Sequence, residues 1–143
     1  MRMQLPFSHS RILAFSASAA GTPTPSFPPL KRVPVLEQEL PSANPPVRMV
    51  RGATIGFAPG QPTGLHRHPI STVGVVTAGS FVFQIEGGPA RILRTGDSFF
   101  EPAGQTIVKF DNASRETRAA ITVFYFTDSK TRPLIDPIKR TGS

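Results

Sequence analysis

The sequence predicts an all-β fold, a sandwich or closed barrel built from short strands. Three observations carry that prediction. No stretch sustains the 3.6-residue apolar repeat of an amphipathic helix. Proline (16 residues) and glycine (12 residues) recur along the chain as turn punctuation. Between them lie short runs rich in β-branched and aromatic residues, spaced as the strands of a sandwich or barrel are.

In chain order, residues 47–51 and 53–57 read as the first two strands, separated at Gly52. A turn around Gly60 and Pro62 leads to a short strand at His66–His68. Residues 73–77 and 80–85 form the next pair, divided by Gly79. Residues 86–89 make a turn, 91–94 a strand, 95–97 a turn and 98–101 a short strand. A turn at Pro102–Gly104 precedes a strand at 107–110, and a turn at 111–114 precedes the longest strand, 119–126. Runs 73–77 and 119–126 are nearly continuously apolar, as in a strand buried on both faces of a barrel or at a subunit interface. Around Phe83 and Ile85 the pattern alternates with Gln84 and Glu86, which places polar groups on one face, either outside or lining a cavity.

Length and composition bound the function. The 143 residues suit one domain with tails, read as an extension over 1–30, a barrel over 31–128 with its motifs in 47–128, and a basic tail over 129–143. Cysteine is absent, which excludes disulfides and thiolate metal sites. The net charge is +7, but the basic residues are scattered and not interleaved with stacking aromatics, so no nucleic-acid partner is expected. No apolar run reaches the roughly 20 residues that a membrane-spanning helix needs. Arg2 and Arg11 precede a short apolar stretch, Ile12 to Phe15, followed by Ala17-Ser18-Ala19. This Pro/Ser-rich extension reads as disordered, with a targeting segment as the alternative. Cytoplasmic residence is expected, with export or an organelle as the alternative.

His66 and His68 are the chemically most informative pair. In a strand, residues i and i+2 point to the same face, so both imidazoles project together. Neutral imidazole is the commonest transition-metal ligand.

Two spaced patterns frame this pair. The first runs from Gly60 through five residues to His66-x-His68 and on to Gly79; the second runs from Gly96-Asp97 to Pro102-x-Gly104 and an Asn-Ala-Ser turn at Asn112. In this order they resemble the two motifs of the cupin family, over roughly residues 47–128. The resemblance implies a double-stranded β-helix, a jelly-roll barrel with its site inside, and commonly a homodimer. A strand at 30–36, limited to an edge by Pro34, could add to a neighbour's sheet. The family pattern also implies a metal held by the paired histidines, a first-motif Glu and a second-motif His. Here the Glu position falls on Thr72 and the second His on Ile107, or on Val108 if the register slips by one. Among substitutes, Glu101 is the best placed. Asp97 reads as a turn residue bonding its own backbone, and Gln105 offers an amide oxygen.

The function expected is a cupin barrel that binds a small molecule inside, with a degenerate metal site. Its ligand contacts would come from His66, His68, Phe83, Gln84 and Tyr125. Phe81, Phe99, Phe110, Phe124 and Phe126 are core candidates that could also line the cavity. The alternative is a metal-dependent enzyme, dioxygenase- or isomerase-like, in which His66, His68 and Glu101 hold a divalent ion such as iron, manganese, zinc or nickel. A further alternative is a metal-free epimerase-like enzyme with a histidine base and Tyr125 as acid.

Overall fold

The computed structural model describes residues 20–23 and 26–140. They belong to two units, residues 1–32 and 33–143, and the described part of the first has no regular secondary structure. The targeting features between Arg2 and Ala19 lie outside the described residues.

Among the described residues, the second unit holds nine strands and no helix: β1 (Met49–Phe57), β2 (His66–Arg67), β3 (Thr72–Ala78), β4 (Ser80–Ile85), β5 (Arg91–Arg94), β6 (Ser98–Glu101), β7 (Thr106–Asn112), β8 (Ala119–Thr127) and β9 (Asp136–Pro137). They form two antiparallel sheets, one ordered β1-β8-β3-β6 and the other β5-β4-β7-β2-β9. This is the expected all-β jelly roll. The inward side chains of both sheets meet in one core, whose centre is aromatic. Phe110 packs edge-on against Phe99, with ring centroids 4.8 Å apart, and against Phe83 at 5.3 Å. Such pairs add roughly 0.5–1.5 kcal/mol each beyond their area burial.

Three local details differ from the sequence expectation. Gly52 does not break the first strand: β1 is continuous, and Gly52 sits opposite Phe124, where a Cβ would come within 3.0 Å of that ring. The glycine makes room for an aromatic neighbour instead of a turn. In β7 a bulge skips Val108, because Gln84 pairs with Lys109 and Ile85 with Ile107. It leaves Ile107 and Phe110 both fully buried on the core side. The segment past residue 128, expected as a loose tail, returns to the barrel and supplies β9, which pairs with β2 through His66↔Pro137 and Arg67↔Asp136.

Parity along β3 and β6 decides what faces inward. Gly74 and Val76 are core-facing on β3, and Phe99 fits against Gly74 because that residue has no Cβ. The same parity turns Thr72 inward on β3, and Phe99 and Glu101 inward on β6. Segment 30–36 forms no strand, and Ser98 Oγ donates to the Val35 carbonyl at 2.5 Å.

Candidate metal centre

His66 and His68 enter the barrel interior from β2 and the residue just beyond it. Gly64, at φ +77°, makes the left-handed turn that precedes them, which glycine adopts without steric cost. Its carbonyl accepts a hydrogen bond from His66 Nδ1 at 2.8 Å. The Leu134 carbonyl accepts one from His68 Nδ1 at 2.6 Å. A carbonyl can only accept, so both Nδ1 atoms carry the proton. Both Nε2 atoms are thereby aimed inward, the arrangement found behind metal-binding histidines.

Glu101 completes the cluster. Its side chain is buried, with Oε2 at 3.0 Å from His68 Nε2 and Oε1 at 3.9 Å from His66 Nε2. The three donor atoms lie within 4.8 Å of one another. All three residues are at most 4% exposed. A neutral imidazole protonated on Nδ1 offers a lone pair at Nε2, and a carboxylate oxygen offers another. Two acceptors 3.0 Å apart need a proton or a cation between them. With no ion bound, a proton would serve. Burial works against the charge on His68, but the Glu101 hydrogen bond and charge, helped by the Leu134 carbonyl, outweigh it and raise its pKa. Two nitrogens and one carboxylate also suit a divalent transition metal with open positions. The donor set and the pinned tautomers therefore fit such an ion.

Glu101 belongs to a row crossing the four-stranded sheet. It pairs with Thr72, and Thr72 pairs in turn with Tyr125. Directly opposed residues share a face. Thr72 is 1% exposed, and its Oγ1 has no hydrogen-bond partner. The Tyr125 ring lies 5.9 Å from that of His68, and burial together with the Glu101 charge raises its pKa, keeping the phenol protonated. On the opposite sheet Ile107 pairs with His66, so an apolar side chain faces inward where the family pattern implies a second-motif histidine.

The row and the histidines form the polar wall of a cavity of about 290 Å³. The remaining interior wall is apolar, with Phe57, Phe110, Ile121 and Val123 buried around it. Gln61, Pro62, Thr63 and Ile135 form the exposed mouth. Among the described residues, no Lys or Arg lines this cavity.

The sequence candidates distribute unevenly. His66, His68, Glu101 and Tyr125 come together at the cavity. Phe83 and Gln84 do not line it: Phe83 is buried in the core, and Gln84 Nε2 donates to the Gly88 carbonyl in the β4–β5 turn. Of the other candidate phenylalanines only Phe110 reaches it; Phe81 and Phe99 are core, Phe126 is half-buried outside the lining, and Phe124 is 42% exposed on the outer face. Asp97 is a turn residue, its carboxylate accepting from the Arg94 amide at 2.7 Å. Gln105 is exposed outside the cavity. Sequence reasoning missed Thr72 as a lining residue, Leu134 as the partner of His68, and Ser71. Ser71 accepts from the Ala103 amide through Oγ at 3.1 Å and so ties the start of β3 to the turn after Glu101.

The family model of the cupin domain matches residues 53–125, just over half of the chain. The chain belongs to the cupin family. A curated relative, (R)-mandelonitrile lyase from Granulicella tundricola, is 36% identical over 61 residues, covering 43% of this cupin and 47% of the relative. Among solved structures, an oxalate oxidase superposes with a TM-score of 0.53 at 27% identity, over 62% of this chain and 46% of that one. A cupin-like protein from Thermotoga maritima matches with a TM-score of 0.53 at 25% identity, over 65% of this chain and 67% of that one. This cupin thus spans about half the length of the mandelonitrile lyase and of the oxalate oxidase.

Proposed function

We propose that this cupin is a metal-dependent enzyme that holds one divalent ion with His66, His68 and Glu101 and acts on a small molecule in the barrel cavity. The observation that carries the reading is the inward carboxylate of Glu101, 3.0 Å from an Nε2 whose other ring nitrogen is already committed to a carbonyl. The site is then not degenerate. Its carboxylate is supplied by β6 instead of by the motif position on β3. When bound, such an ion supplies Lewis-acid polarisation of a substrate oxygen. The chain's own groups do the remainder. Gly64 and Leu134 hold the imidazoles in register, the apolar wall excludes water, and the Tyr125 phenol offers a proton beside the site. The likeness to a mandelonitrile lyase and to an oxalate oxidase supports enzymatic use of the barrel, and the cupin family supports an interior small-molecule site.

A second reading is favoured by the same 3.0 Å contact. A protonated His68 paired with Glu101 would be an acid/base couple in a metal-free binder or isomerase, with Tyr125 as the second acid. Elemental analysis decides between them. The purified protein should carry stoichiometric divalent metal that is lost in both His66→Ala and Glu101→Ala. Failure to bind added iron(II), manganese, zinc or nickel at neutral pH would sink the metal reading and leave the second. We also infer a homodimer, supported by family habit and by the exposed apolar side chains Val50 and Phe124 on the outer face of the β1-β8-β3-β6 sheet.

A further inference from the structure

We infer that the occupant of this cavity is a small molecule with a single oxygen-bearing head and an uncharged apolar body, and that the Thr72 hydroxyl reads the head. This deepens the reading above and rests on the same centre being the working site. Size sets the first limit. At about 30 Å³ per water, the cavity of about 290 Å³ holds the equivalent of on the order of ten water-sized groups, and a longer body would extend through the mouth.

Charge sets the second limit. A divalent ion beside one carboxylate and two neutral imidazoles leaves a single net positive charge. One alkoxide or carboxylate head cancels it. A second negative group held inside, short of the exposed mouth, would lie against Phe57, Ile121 and Val123, with no Lys or Arg among the described lining residues to meet it. Burying an unpaired charge in such surroundings is strongly unfavourable. A diacid that must bury both carboxylates is therefore disfavoured, and a monofunctional alcohol, carbonyl compound or monocarboxylate fits.

Thr72 sets the third. Its hydroxyl is buried, lies next to Glu101 and Tyr125 in the cross-sheet row, and bonds to nothing in the protein. A buried hydroxyl without a partner destabilises the fold that contains it. Thr72 lines the cavity, and a χ1 rotation that turns its hydroxyl inward would let a substrate oxygen satisfy it. Thr72→Val keeps the shape and removes the hydroxyl. If Thr72 were merely structural, that change would raise the melting temperature and leave ligand affinity untouched.

The test uses metal-loaded protein and three probes of matched length, 1-hexanol, hexanoate and adipate, with affinity measured by calorimetry and metal content measured on the same samples. Hexanol and hexanoate should bind, with adipate at least about tenfold weaker because its second carboxylate is unpaired. Thr72→Val should melt higher, keep its metal, and lose about fivefold to tenfold in affinity for hexanol and hexanoate. Adipate binding as tightly as hexanoate, or Thr72→Val binding as wild type, overturns the inference. Protein without metal that still binds hexanol in a Thr72-dependent way would retain the role of Thr72 while removing the metal reading.

Discussion

Thr72 and Glu101 face each other across β3 and β6, both turned into the barrel and both buried. The cupin pattern implies a carboxylate at the first position; this chain carries it at the second. Opposed side chains start only about 5 Å apart at Cβ, so either residue can aim a carboxylate at the same space. Glu101→Thr should abolish metal uptake. Adding Thr72→Glu to that variant should restore uptake, read as metal per chain after desalting. A double variant as empty as the single one would show that the two positions are not equivalent.

The His68 imidazole is oriented from the far end of the chain, by the Leu134 carbonyl. Outer partners of this kind typically change metal affinity by about 10–100-fold when removed. Deleting residues 129–143 also removes β9 and the Ile135 side chain at the cavity mouth. We expect the truncated protein to stay folded by circular dichroism but to hold metal at least about tenfold more weakly in a chelator competition. Unchanged affinity would show that Leu134 does not matter to the site.

Gly74 leaves no room for a side chain between Phe99 of β6 and the backbone of β8. A Cβ there would lie 2.6 Å from the Thr122 carbonyl and press into the Phe99 ring. Gly74→Ala should cost about 1–3 kcal/mol through overpacking. Urea unfolding would read this as a lower midpoint with an unchanged slope, and a variant as stable as wild type would contradict the packing described.

Asp128 follows β8 and caps the turn that leads to Leu134. Its Oδ1 accepts from the Thr131 hydroxyl at 2.7 Å and from the Thr131 and Lys130 amides at 2.8 and 3.0 Å. The Thr131 hydroxyl, then its amide, lower the carboxyl from 3.8 to about 2. The folded state thus favours the ionised form. Its contribution is complete above the unfolded value of 3.8 and disappears as pH falls through about 2. Asp128→Asn should flatten the dependence of the urea midpoint on pH across this interval. An identical pH profile in that variant would assign acid sensitivity to other groups.

The barrel was legible because its signals are local. The His-x-His spacing, the Gly96-Asp97 turn and Pro102-x-Gly104 each lie within a few residues of sequence. The inward aim of Glu101 was not legible. Residues 98–101 carry adjacent phenylalanines, Phe99 and Phe100, so alternation cannot say which parity faces the core; both are buried, on opposite faces of β6. Gln84 illustrates the converse. Its alternation with Phe83 is plain in the sequence, but a bond to the Gly88 carbonyl absorbs the amide, and only tertiary geometry shows it. Leu134 acts through a backbone carbonyl, which leaves no mark on side-chain identity. Gly52 resembles a break in sequence because the partner that explains it, Phe124, lies far along the chain.

The two histidines descend from the β5-β4-β7-β2-β9 sheet, and Glu101 stands on the other. An ion held by all three would rivet the two layers of the sandwich at the polar wall of the cavity. Metal would then act as a structural cross-link as well as a reagent. At free metal 100 times its dissociation constant, the folded state would gain about 2.7 kcal/mol, and heat resistance would rise and fall with metal supply.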